Sequence, residues 1–129
     1  MKFKTLMTIK AVVCLGFAPL LLFVPAWLLG LLGLEFGSGA ALLAREYGAT
    51  LVGNLLLTWL ARNVAAGKAR SAIAWDLCLY DAIALVATLA LLLSGTMNWL
   101  GWGIALVYAF FAGGFAFFLK PEEKPAPAF

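Results

Sequence analysis

The sequence predicts an all-α, polytopic membrane protein built as an antiparallel bundle of four transmembrane helices. Three observations predict it. Of 129 residues, 65% are hydrophobic and 12% charged, against about 45–50% and roughly 25% in a soluble domain. Four apolar runs, each long enough to cross a hydrocarbon core of about 30 Å, are separated by short turn-like segments. The lysines and arginines gather on one side of a four-span arrangement. So few charges cannot coat a water-facing surface, which excludes an ordinary soluble globule. The composition equally excludes a disordered, collagen-like or disulfide-framework chain.

The first span is Ala11–Leu34, 24 uncharged residues between Lys10 and Glu35. As a helix it would reach about 36 Å. Its basic start resembles a signal peptide, but the apolar run exceeds the roughly 7–15 residues of a signal core, so it reads as a retained span. Pro19 and Pro25 deprive carbonyls near Leu15 and Leu21 of a donor, which predicts a kink; the sharper reading is a gating hinge. The second span is Leu42–Ala61, the third Ala72–Leu93 and the fourth Trp99–Leu119. Glu35–Gly39, Asn63–Ser71 and Ser94–Asn98 read as the loops, the last with a helix-stopping Gly95. Loops this short make sequential helices antiparallel neighbours. The Pro-rich segment 120–129 reads as a disordered cytoplasmic tail.

Lys2, Lys4 and Lys10 precede the first span; Arg62, Lys68 and Arg70 lie between the second and third; Lys120 and Lys124 follow the fourth. Only Arg45 falls on the other side. The positive-inside rule then puts both termini and the middle loop on the cytoplasmic side of the membrane. Trp59 and Trp75 fall towards one interface and Trp99 and Trp102 at the other, where amphipathic rings prefer to sit. The net charge of +3 is accounted for by anionic headgroups, so the bilayer is the expected partner and nucleic acid is not.

Polar residues inside the spans are the most informative feature. Glu46, Thr50, Asn54, Thr58 and Arg62 recur every four residues, making one ridge along the second span. The third span carries Asp76, Tyr80, Asp81 and Thr88. In an antiparallel hairpin this register predicts two contacts, Arg62 with Asp76 and Asn54 with Asp81. A carboxylate at a helix centre costs roughly 2.5–3.5 kcal/mol on the insertion scale, so Asp81 needs a partner and is a functional candidate by default. If its carboxylate only fixes packing, Asp81→Asn should leave the fold nearly intact; if it carries protons or cations, the change should abolish transport.

Small residues let helix backbones approach in lipid. Gly101, Ala105, Ala109 and Gly113 form such a ridge on the fourth span, facing either a neighbouring helix or another subunit.

No histidine is present, which removes the usual ligand of haem and catalytic zinc and the commonest general base. Cys14 and Cys78 form no C-x-x-C, and no Gly-rich phosphate loop or G-x-S-x-G occurs. No cofactor, metal or enzymatic activity is therefore expected.

The stretches Pro25–Gly33, Ala44-Arg-Glu-Tyr-Gly48 through Trp59–Arg62, and Ser94-Gly95 followed by Asn98–Trp102 resemble the small, functionally uncharacterised four-helix proteins of bacterial inner membranes. The resemblance covers most of the chain and implies a fold and a place in a bacterial inner membrane rather than an activity. Gly48–Asn54 is similar to one helix of small fluoride channels, but the phenylalanine- and threonine-rich break those channels need is absent. Small multidrug exporters also have four helices, yet their first-helix glutamate has no counterpart between Ala11 and Leu34.

The expected function is that of a non-enzymatic accessory or assembly subunit of a membrane complex, or of a small self-associating bundle acting through helix faces. The alternative is a small-solute or proton-coupled transporter or channel using Asp81 and Asn54.

Overall fold

A computed structural model describes residues 1–121. The Pro-rich tail falls outside the described residues except for Lys120 and Pro121. The described chain is all-helical, with five helices and no strand: α1 (Phe3–Phe23), α2 (Pro25–Leu31), α3 (Ser38–Leu60), α4 (Lys68–Leu93) and α5 (Gly101–Ala116). Two of them, α1 and α4, are long and apolar enough to cross a membrane, and α5 is a shorter apolar helix. The ionic and polar residues of α3, Arg45 and Glu46 among them, lower its hydropathy.

The first charge-free run is not one helix. Helix α1 starts well before Ala11 and stops at Phe23, and Pro25 opens α2 as its first residue, where a missing N–H costs nothing. Val24 between them adopts a non-helical φ of −133° and ψ of 50°. The break predicted from the prolines is therefore at Pro25, while Pro19 is accommodated inside α1. Gly33 (φ 75°) ends α2, where the Leu34 N–H donates to the Leu29 carbonyl at 2.9 Å. Gly95 (φ 78°) ends α4 in the same way, with Thr96 N–H on the Leu91 carbonyl at 3.0 Å. Both are left-handed caps that an L side chain would strain.

The helices associate as two close pairs, α1 with α3 and α4 with α5, and α1 also touches α5. Among the described residues, the α3 and α4 backbones do not come together, although they are consecutive. At one end the pairs are sealed by a core of Phe3, Leu6, Met7, Leu77, Phe111 and Phe115. Phe3 packs edge-on against Phe115 and Phe118, and Phe111 stacks on Phe115. A second core joins α1, α2 and α3 through Cys14, Ala18, Leu21, Leu28, Ala44 and Leu51.

Beyond the sealed half a cavity lies between the pairs. The far end is bridged by Asn98, which donates from its side chain to the Leu31 carbonyl at 2.8 Å and from its backbone to the Leu32 carbonyl at 3.0 Å. Its carboxamide oxygen accepts from the Leu100 N–H at 3.1 Å. Asn98→Ala removes the two side-chain bonds, so thermal unfolding in detergent should show a loss of about 1–2 kcal/mol.

Candidate functional site

The site lies where the sealed half meets the open half, and each of the four long helices contributes to it. Lys10 of α1 is 3% exposed and Asp81 of α4 is fully buried. The Lys10 ammonium donates to Asp81 Oδ1 at 2.5 Å, the only ion pair among the described residues. The ammonium also lies over the rings of Phe111 (4.5 Å) and Tyr80 (5.2 Å), a cation–π arrangement.

The chain's three tyrosines converge here. Tyr47 of α3 and Tyr108 of α5 share a hydroxyl–hydroxyl hydrogen bond of 2.5 Å. The Tyr47 ring stacks on that of Tyr80, with centroids 6.3 Å apart. These bonds and ring contacts join α3 to α5 and to α4, whose backbones stay apart. The Tyr80 hydroxyl and Asp81 Oδ2 are buried and meet no hydrogen-bond partner among the described residues.

The open half contains a cavity of about 780 Å³, within the usual range for small-molecule sites. Leu21, Leu28, Ala44, Leu51, Ile104 and Val107 give it apolar walls. Lys10, Tyr47 and Tyr108 reach its lining at the polar end, while Glu35, Thr96 and Met97 line the end nearer the loops. One mostly apolar chamber thus counts Lys10, Tyr47 and Tyr108 among its lining residues.

Several sequence-based expectations are corrected. Asp81 pairs with Lys10, not Asn54: the α3 and α4 backbones do not come together, and the long Lys10 side chain reaches across from the α1–α3 pair to the α4–α5 pair. Arg62 does not reach Asp76: its guanidinium lies over the Trp59 ring at 3.9 Å and donates to the Trp59 carbonyl, and Asp76 is exposed. Lys10 is not an interfacial cation but a buried one.

The polar ridge of α3 does not face one neighbour. Glu46 and Thr50 are exposed, Asn54 and Arg62 half-buried and Thr58 fully buried. Successive i+4 positions drift by about 40° around a helix of 3.6 residues per turn, so five of them cannot share a face. The ridge satisfies itself along its own helix: Thr50 donates to the Glu46 carbonyl at 3.1 Å and Thr58 to the Asn54 carbonyl at 2.7 Å. The same drift splits the small-residue ridge of α5. Gly101 and Ala105 are buried, whereas Ala109 and Gly113 are exposed.

Of the expected polar residues, only Tyr80 and Asp81 belong to the site. Lys10, Tyr47 and Tyr108 were missed, although a lysine bounding an apolar run and three tyrosines in an otherwise polar-poor chain were a signal. Cys14 and Cys78 are free; the Cys78 thiol donates to the Ala112 carbonyl at 3.3 Å. No cluster of three metal-ligating side chains occurs among the described residues. Comparison with protein-family models, with characterised proteins and with solved structures finds nothing that matches this chain.

Proposed function

We propose that this chain is a polytopic membrane protein whose helix bundle binds a small lipophilic solute. In this reading α1 with α2, α3, α4 and α5 make four crossings of a bacterial inner membrane. Both termini and the α3–α4 loop face the cytoplasm. The reading is non-enzymatic and takes no cofactor, and the bilayer rather than nucleic acid is its surrounding partner.

The observation that carries it is the apolar cavity whose lining includes Lys10, the buried partner of Asp81. A buried pair is a weak source of stability compared with apolar packing, and an intramembrane ionisable group is a functional candidate. The outer surface supports the membrane setting. Val12, Leu43, Leu60, Ile83, Val86 and Leu106, drawn from all four long helices, are each more than 60% exposed. So much outward apolar area suits lipid and not water. Seven cations remain on the proposed cytoplasmic side once Lys10 is taken inside: Lys2, Lys4, Arg62, Lys68, Arg70, Lys120 and Lys124.

Photolabelling of the full chain in nanodiscs with a diazirine-bearing C16 hydrocarbon tests the binding reading. Label is expected on Leu51 and Val107, with loss from both in Ala44→Phe, where the ring fills the cavity. Equal labelling of that variant would refute it. A reporter fused after Phe129 should be active in the cytoplasm; periplasmic activity would overturn the topology.

A second reading, as an accessory or self-associating subunit, is favoured by one feature. Ala109 and Gly113 face outward on α5, and a Cβ at Gly113 would meet open space among the described residues. Another membrane subunit, or a second copy, could pack there. In that case Ala109→Leu would dissociate the complex without touching cavity labelling.

A further inference from the structure

Resting on the lipophile-binding reading, we infer that the occupant of the cavity is an uncharged, chain-like lipophile with a carbonyl oxygen at one end: a ketone, quinone or ester rather than an acid or a plain hydrocarbon.

The inference follows from what the polar end offers. An ammonium has three N–H donors and no acceptor. Lys10 spends one on Asp81 Oδ1, and the chamber lining includes its side chain. Tyr47 and Tyr108 share one hydrogen bond, which uses one hydroxyl proton and leaves the other available. Both rings line the chamber. The polar end is therefore rich in donors, and the complementary group on a ligand is an acceptor.

Charge decides among acceptors. Asp81 already neutralises Lys10 at 2.5 Å and is fully buried. A carboxylate or phosphate entering beside them would put a net negative charge into an apolar chamber, at a desolvation cost that an ammonium already neutralised by Asp81 does not offset. A carbonyl oxygen accepts from Lys10 and a phenol without adding charge. A hydrocarbon fills the walls but leaves those donors unmatched, and unmatched buried donors are the more costly state. The cavity volume of about 780 Å³ is ample for a chain as well as a head.

The test uses the full chain in nanodiscs with three radiolabelled probes of equal chain length: 2-hexadecanone, hexadecane and hexadecanoate at neutral pH. The ketone is expected to bind about tenfold or more tighter than the alkane, the size of one to two net hydrogen bonds. Tyr108→Phe should shrink that preference several-fold. The double replacement Lys10→Met with Asp81→Leu, which removes both charges together and so spares the fold, should erase it. Ketone and alkane binding equally would overturn the inference, as would hexadecanoate binding tightest; in both cases the cavity would remain a lipophile site. Retention of all three probes by Ala44→Phe at wild-type levels would instead overturn the binding reading itself.

Discussion

Replacing Lys10 with methionine is expected to destabilise the bundle by about 3–5 kcal/mol, and so is replacing Asp81 with leucine. Each change leaves the surviving charge buried: Asp81 is fully enclosed and Lys10 nearly so. The double variant should recover most of the loss, because two apolar side chains of similar size need neither counter-ion nor hydrogen bond. A thermal-unfolding cycle over the four proteins in one detergent would therefore give a coupling energy close to the single-variant losses. Additive losses would mean that the two side chains do not meet. Asp81→Asn is not conservative here. It keeps the shape and one acceptor but removes the negative charge facing Lys10, so its loss should fall between zero and that of Asp81→Leu.

The partner of Asp81 also marks where the sequence stops being readable. That a buried carboxylate inside an apolar run needs a partner follows from the insertion cost alone. Which partner it finds depends on the order of helices around the bundle, and neither hydropathy nor loop length encodes that. The short α3–α4 connection argued for a close hairpin, and the contact between Asn54 and Asp81 rested on it. Instead α1 pairs with α3 and α5 with α4, and the ion pair crosses between the two pairs. Lys10 was read as an interfacial cation because it bounds an apolar run. A helix that begins at Phe3 carries it a full two turns inward. Local signals fared better where the physics is local. Pro25 broke the helix, and Gly95 capped one with a left-handed residue, because each acts through its own backbone.

The small-residue positions show the same division, and they carry the second large effect. An unbroken i+4 series on α5 pointed to Gly113 as a contact, yet a Cβ there would meet nothing within 4 Å among the described residues. The close approaches are made at Gly101 of that series, where a Cβ would lie 2.8 Å from Leu92 Cδ2 of α4, and at Gly48 of α3. A Cβ at Gly48 would lie 2.9 Å from Leu22 Cγ and 3.1 Å from Leu21 Cβ, next to the α1 backbone itself. Neither atom is the free end of a side chain, so the pair α1–α3 must part to admit a methyl group. Gly48→Ala is accordingly expected to lower stability by about 1–3 kcal/mol, the cost of overpacking a close contact. Gly48→Leu should do more, loosening the wall that carries Tyr47 and Ala44 and with it lipophile binding. Gly113→Ala should be neutral, or stabilising by up to about 1 kcal/mol through helix propensity. Thermal unfolding of the three variants in the same detergent checks the order. If Gly113→Ala proved the more damaging, then Gly113 and not Gly48 would mark the closer helix contact.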